Sequence, residues 1–476
     1  MTRLIQGVAL GAMLLSGCST LHNGASETLA TDAAAQAGWT DRTIATAAPA
    51  ASAPLDDVAF WAGFDDPLLV ALLDEVIANN PAVDEAQARL REARAVIGVI
   101  GSRSRIQLSA TPNAGRERLS AEGPGPQGQI PGVDLEQSFF SLGGVAAWEP
   151  DIWSRNALSV EAGEARAEAM EALADAVQLG LKADTGRTYI RLRAAEADLV
   201  AIDQTLAALR DTEDLTRQLV EVGLSAEFDL LQVGARIEGV EAERLQVTGQ
   251  VTLLRYALAT LLGHAPAEME GRLPAGASIP DYDTGIPAGL PSTLIYRRPD
   301  VAAARLQLLA AAKNEENVSL NHLPNFSLTG DGGLLSTGLD ALFDADSRRG
   351  LISAALNWPI LSGGRLSAER DIADAQTAAA QAVYDQALLR SLNDVETAFE
   401  RYATSGETLV RIDNLIERQT RIRRLAEARY LEGEDSQFRS LEAETELLSA
   451  ERRKAELLAA RSVAAVDIYA ALGGGF

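Results

Sequence analysis

Cysteine is almost missing from this sequence: Cys18 is the only one in 476 residues. A lone cysteine excludes a disulfide scaffold. Histidine is nearly as scarce, and His22, His264 and His322 are scattered without the spacing of a zinc site. No Walker loop, GxSxG elbow or HExxH pair occurs, which leaves a lipid-anchored hydrolase without a nucleophile constellation. Gly473-Gly474-Gly475 is a stop rather than a phosphate cradle, because no helix follows it. The chain therefore reads as a non-enzyme with no cofactor and no metal. Basic charge is also in deficit, with 42 Lys and Arg against 67 Asp and Glu. The net charge of −25 argues against nucleic-acid binding. After the leader no apolar run reaches 18 residues, so no transmembrane helix is expected. A chain of this kind crosses a membrane only as a closed β-barrel.

What is present is apolar and small. Hydrophobic residues make up 47% of the chain and aromatics only 5%. Alanine-rich cores of this kind suit closely packed helices. Residues 1–17 stand apart, with Arg3 the only charge and an apolar run from Ile5 to Leu15, broken by Gln6, that is too short to span a bilayer. They read as a secretory signal peptide. Leu15-Ser16-Gly17-Cys18 resembles a bacterial lipobox, which would make Cys18 the lipid-bearing first residue of the mature chain. The competing reading is a buried structural thiol. Ser19 after the cysteine favours the outer membrane. Residues 18–54, rich in Ala and Thr, read as an acylated flexible tether.

Proline is absent from Asp151 to Ala265 and from Ile360 to Phe476. Two such runs, rich in Ala, Leu, Glu and Arg, predict long helices. The runs are related. Trp148 matches Trp358, Gly223 matches Gly433, Phe228 matches Phe438, Leu262 matches Leu472 and Gly263 matches Gly473, all at an offset of 210. Upstream, Asn80-Pro81 resembles Arg298-Pro299 at offset 218. The chain is thus a tandem duplication, with a first unit over 55–265, a linker over 266–290 and a second unit over 291–476.

Each unit reads helix, strand, loop, strand, long helix, turn, helix. The first opens with Asp66 as cap and Pro67 as first turn, and one helix is expected to continue to about Ser104. Strands are expected at about 105–113 and 138–148, then at about 324–335 and 350–358, with the long helices over about 155–222 and 364–432. Within the first long helix Leu192, Ala195, Leu199, Ile202, Leu206 and Leu209 keep coiled-coil spacing. The strands alternate. Ile106, Leu108, Ala110, Phe326, Leu328, Ile352, Ala354 and Leu356 could face lipid, and Gln107, Ser109, Thr111, Asn325, Ser327, Thr329, Ser353 and Asn357 could face water. Four strands cannot close a barrel around a lumen, so a membrane reading requires copies of the chain to share one.

Several motifs in order resemble the TolC-like outer-membrane factors of the NodT and OprM type. They are Phe60-Trp61-Ala62-Gly63-Phe64-Asp65-Asp66-Pro67-Leu68, Trp148-Glu149-Pro150-Asp151-Ile152-Trp153, Leu290-Pro291 with Arg297-Arg298-Pro299-Asp300, Trp358-Pro359-Ile360 with Gly363-Gly364-Arg365, and the terminal Ala471-Leu472-Gly473-Gly474-Gly475. The resemblance covers about residue 55 to the end. It implies a mainly helical fold with membrane β-structure: a homotrimer with a twelve-stranded barrel above a periplasmic helical tunnel. It implies a passive duct working with a periplasmic adaptor and an inner-membrane transporter of the resistance-nodulation-division type. Ser154 stands where the family usually has glycine.

By position, the resemblance carries an apolar ring and an acidic ring at the tunnel aperture onto Phe438 and Glu442, with Phe228, Asp229 and Gln232 at or beside the equivalent places in the first repeat. The family's arginine near that acid is Thr445 here. Gly223 and Gly433 end the long helices and mark where an adaptor would dock. The alternative for Phe438 and Glu442 is coiled-coil packing and a solvated charge. The competing class for the whole chain is a coiled-coil lipoprotein that spaces or adapts partners without conducting.

Overall fold

The computed structural model describes residues 57–118, 120, 135–269, 271–274, 278–282 and 297–475. The leader, Cys18, the tether and much of the linker lie outside the described residues. The described chain divides into two compact units. One holds the residues up to Ala86, Ala172–Ala302 and the chain from Asp385 onward; the other holds Gln87–Glu171 and Ala303–Tyr384.

The second of these units is built on a four-stranded antiparallel sheet of β1 (Gln107–Arg118), β2 (Glu136–Trp148), β3 (Asn325–Ser336) and β4 (Arg348–Asn357), ordered β1-β2-β3-β4. β1 runs on to Arg118, five residues past its expected end, through Pro112. Proline lacks the ladder donor, and the strand tolerates it because β1 is paired on one side only. Short polar ties join this sheet to its flanking helices. Trp153 Nε1 donates to the Pro324 carbonyl at 2.7 Å, and Asn156 Nδ2 to Ser104 Oγ at 3.1 Å.

The other unit is helical. Its opening helix α1 (Asp57–Ala62) was not foreseen from the sequence. The helix expected from Pro67 to Ser104 is two, α2 (Pro67–Asn79) and α3 (Pro81–Ser102). The break falls at Asn80, which is extended at φ −75° and ψ 123°. The ring of Pro81 disfavours helical backbone at the residue before it. Asp66 caps α2 as expected, accepting from the amides of Leu68 and Leu69.

The long helices α4 (Arg155–Glu221) and α7 (Arg365–Leu431) each turn back into a shorter partner, α5 (Glu227–Leu261) and α8 (Gln437–Ala471). Between them in sequence lies α6 (Pro299–Ser319), and α3, α4, α6 and α7 each run from one unit into the other, since the boundaries fall after Ala86, Glu171, Ala302 and Tyr384. Leu192, Ala195, Ile202, Leu206 and Leu209 are buried, as coiled-coil spacing requires.

The core of this helical unit centres on an aromatic cluster. Phe60 stacks on Tyr469 at 4.4 Å and meets Trp61 edge-on at 5.1 Å, while Phe64 approaches Tyr282 at 5.1 Å. Asp57 ties the cluster together, accepting from Trp61 Nε1, the Tyr469 hydroxyl and Lys182 Nζ. Gly186 lets Trp61 lie against α4, since a Cβ there would sit 2.8 Å from the indole. A smaller cluster gathers Ile202, Leu206 and Leu209 of α4, Val233, Ile237 and Val247 of α5 and Leu441 of α8.

Candidate functional site

Cross-strand partners share a face of a sheet, so the register decides what each face presents. Leu108 pairs with Ala146, Gly330 with Ile352, Leu328 with Ala354 and Phe326 with Leu356. With Phe140, Leu142 and Leu334 these make one apolar face, which ends at Arg116, Arg118, Glu136 and Arg348 beside the hairpin connections. The face is open: Leu108 is 79% and Ile352 82% exposed. The opposite face carries Gln107, Ser109, Thr111 and Asn113 from β1. It takes Ser141 from β2, Asn325, Ser327 and Thr329 from β3, and Ser353 and Asn357 from β4. The residues expected on each side therefore do lie together, except Ile106, which falls just before β1 and pairs with no strand residue. Phe139, Val145 and Leu351 also sit on the polar side, so the alternation is cleanest in β1.

One feature of the polar face was missed. Arg349 reaches diagonally to Asp331 at 3.3 Å, an ion pair on the face that would line a lumen. Gly143 and Gly333 lie beside Arg349 and leave its guanidinium room to lie across the strands. The signal was available, since both charges fall in step with the polar alternation.

At the far end of the long helices, the two turn glycines adopt left-handed backbone, Gly223 at φ +76° and Gly433 at φ +72°. Each is followed by a six-to-one hydrogen bond, Leu224 N to Leu219 O at 2.8 Å and Glu434 N to Arg429 O at 2.9 Å, which closes the helix. Asp229 is occupied locally: its carboxylate accepts from Ser225 Oγ at 2.8 Å and from the Ala226 amide at 3.3 Å. Phe228 is 71% exposed, whereas its repeat partner Phe438 packs on the smaller core cluster. Gln232 and Glu442 are exposed. Thr445 turns its hydroxyl to the Leu441 carbonyl one turn back. The repeat symmetry of the two phenylalanines is therefore broken in one chain, with Phe438 committed to packing and Phe228 free.

The Arg298 segment is a structural clamp. Its guanidinium reaches Asp300 at 2.9 and 3.0 Å, Asp394 at 3.0 Å and the last carbonyl of α8, Ala471, at 3.2 Å. Burial alone would raise the Asp300 pKa, but hydrogen bonds from Arg298 and the Val301 amide hold it below the usual aspartate value. Ser154, at the start of α4, has φ +59°, and its repeat partner Gly364 has φ +87°. Ser154 thus stands in a backbone conformation that suits glycine.

The outer membrane efflux protein family model matches residues 72–264 and again residues 290–474, once for each repeat. The chain belongs to this family. A curated relative, the antibiotic efflux pump outer membrane protein ArpC of Pseudomonas putida, is 27% identical over all of this chain and 96% of its own. The multidrug resistance outer membrane protein MdtP of Escherichia coli is 26% identical over 88% of this chain and 86% of its own. Among solved structures, the outer-membrane channel OprN superposes with a TM-score of 0.82 at 28% identity, covering 92% of this chain and 96% of that one. The fold is that of an outer-membrane efflux channel, mainly helical with membrane β-structure. Among the described residues no group of His, Cys, Asp and Glu could hold a metal, and no helix is long and apolar enough to cross a membrane.

Proposed function

We propose that this efflux family member is the outer-membrane duct of a tripartite pump and works as a homotrimer. The observation that carries the reading is the sheet: one apolar face, one polar face, and two edges, β1 and β4, that no strand among the described residues pairs. Unpaired edges in lipid leave backbone groups without hydrogen bonds, each costing several kcal/mol. Joining β4 of one copy to β1 of the next satisfies them. Three copies would give a twelve-stranded barrel with its apolar face to lipid and its polar face to water.

Transport through such a duct is passive. Energy would come from an inner-membrane transporter of the resistance-nodulation-division type through a periplasmic adaptor. The turns at Gly223 and Gly433 are the proposed docking points for that adaptor, because both end long helices in closed, exposed turns. Glu442 and Gln232, both exposed, would line the aperture with Phe228; Phe438 and Asp229 would support it from behind. Lipid on Cys18 would hold the chain at the membrane, and Cys18→Ser should release the protein from membranes; lipid labelling retained in that variant would refute the anchor.

Single-channel recording of purified protein in planar bilayers, with oligomer mass measured in detergent, tests the reading. Discrete cation-favouring openings from a trimer support it. Glu442→Ala should raise conductance, because three carboxylates around an axis attract cations and narrow the passage. A monomer that forms no channel would refute the reading and favour a spacer lipoprotein.

A further inference from the structure

A recess of about 740 Å³ opens in the helical unit between α4 and α7, with α8 as its floor. α8 is tied to each wall, Arg452 to Asp198 of α4 at 2.5 Å and Lys454 to Asp413 of α7 at 2.8 Å. The recess exists because its floor is small. Ala459, Ala460 and Ala464 line it, and the place of Ala464 is taken by Leu254 in the first repeat. Glu456, Ala460, Val463 and Asp467 step 4-3-4 along this side of α8. Arg461 and Ser462 lie on the other side, where they bond Asp281 at 2.5 Å and the Pro280 carbonyl at 2.7 Å. The linker residues at 280 and 281 therefore sit across α8 from the recess and leave it open.

The two walls are related by the repeat. Arg191, Ala194 and Ala195 of α4 and Arg401, Thr404 and Ser405 of α7 all line the recess, pairwise at the offset of 210. An arginine thus enters from each wall. Arg191 forms no ion pair among the described residues. Arg401 comes no nearer than 3.7 Å to Asp467, whose closer partner is Arg187 at 2.6 Å. Acid lies toward the opposite end. The side chain of Glu456 is 64% exposed, and its ion pair with Arg453 is stretched to 3.9 Å. Glu456 stands eleven residues along α8 from Asp467, about 16 Å at 1.5 Å per residue. The remaining acid on α4, Asp198, is committed to Arg452.

We infer that this recess binds an amphipathic zwitterion: an apolar body on the alanine floor, an anionic group at Arg191 and Arg401, and a cationic group toward Glu456. The volume falls within the range of small-molecule sites, which combine apolar walls with a few placed polar groups and often lie between helices of a bundle. Charge complementarity selects the class. A lipophilic cation would set its charge against two arginines, and a lipophilic anion would leave Glu456 unanswered. In a duct, such a site would hold exported molecules briefly against the wall; that role, unlike the site itself, rests on the duct reading above.

Fluorescence anisotropy on the full chain reconstituted in lipid nanodiscs tests the site. Rhodamine B serves as the zwitterion, its ethyl ester as the matching cation and fluorescein as the anion. Rhodamine B should bind about tenfold more tightly than the ester, the effect of one charged hydrogen-bonding group. Ala460→Phe, at an exposed position of the floor, should abolish saturable binding. Arg191→Gln should bring rhodamine B down to the affinity of its ester and leave the ester unchanged, which loss of shape alone would not do. Equal binding of rhodamine B and its ester, tighter binding of fluorescein, no saturable binding, or binding unchanged by Ala460→Phe overturns the inference. Channel recording and oligomer mass on the same preparation separate the two readings: a conducting trimer that binds no dye sinks the recess alone, whereas a silent monomer sinks the duct.

Discussion

Two glycines with nearly the same backbone should respond very differently to alanine. Gly223 has φ +76° and Gly263 φ +75°. Left-handed backbone costs an L-residue about 1–2 kcal/mol. At Gly223 a Cβ would meet nothing within 4 Å, so the whole cost of Gly223→Ala is that term. At Gly263 a Cβ would lie 2.4 Å from the Asn79 carbonyl oxygen and 3.0 Å from its carbon. That oxygen belongs to backbone, held where α2 gives way to Pro81, and it cannot swing aside as a side chain would. Overpacking of this kind adds about 1–3 kcal/mol. Gly263→Ala should therefore cost about 2–5 kcal/mol.

Amide hydrogen exchange reads the difference where it arises, without requiring the whole chain to unfold in one step. In Gly263→Ala the amides of Asn80 and His264, bonded to Val76 O and Ala259 O, should exchange about 30-fold to several thousand-fold faster. In Gly223→Ala the Leu224 amide should speed up only about 5- to 30-fold. If both variants loosen their surroundings equally, or Gly223→Ala does more damage, close approach to Asn79 is not why position 263 is glycine.

The reverse substitution tests Ser154. With φ +59°, Ser154→Gly should raise the thermal midpoint by relieving about 1 kcal/mol of backbone strain; a lower midpoint would mean the serine side chain holds the turn. Burial alone would raise the pKa of Glu75, but hydrogen bonds from Arg272 and His264 overcome it and hold the carboxylate below the usual 4.5. The stability it contributes is full above that value and lost as pH falls through the lower folded pKa. Glu75→Gln should therefore flatten the fall in melting temperature below about pH 4.5, and an unchanged acid limb would refute the pairing. Burial, aided by Asp66, pushes the Tyr189 hydroxyl up to about 12. Its contribution is present below the ordinary value of 10.0 and fades as pH rises toward 12. Tyr189→Phe should remove that part of the alkaline destabilisation, as followed by melting temperature with phenolate absorbance recorded alongside.

Much of the fold was legible because the governing signals are local or repeated. Proline absence located α4 and α7, glycine located their turns, and alternation located the strands and sorted them onto two faces. The break at Asn80 was also written in the sequence, as a residue before proline, but strong helical pattern on both sides masked it. What could not be read depends on contacts distant along the chain. The Asp57 hub joins α1 to Lys182 and Tyr469, and no spacing predicts that. Phe438 and Phe228 occupy equivalent repeat positions yet differ in burial, because Phe438 finds the cluster built by Ile202, Leu206 and Leu209. Equivalence in a duplicated chain predicts backbone more securely than side-chain surroundings.

The junction before each of the repeat-related prolines, Pro81 and Pro299, makes the same point with more chemistry. Asn80 Nδ2 donates to the Leu261 carbonyl at 2.6 Å, and Arg298 donates to the Ala471 carbonyl at 3.2 Å. Leu261 and Ala471 are themselves related by the repeat offset of 210. Both side chains thus satisfy a carbonyl at the end of a return helix, which would otherwise lack a donor. They differ in what remains. The Asn80 oxygen accepts from the Ala82 amide at 2.8 Å and closes its own turn. The guanidinium of Arg298 has only donors, and Asp300 and Asp394 have to be present to receive them. Duplication fixed the position and the carbonyl to be served, and the second repeat then admitted arginine by supplying two carboxylates. The weak match of Asn-Pro to Arg-Pro is therefore one structural task carried out by two donors, with the cost of the larger charge met by its neighbours.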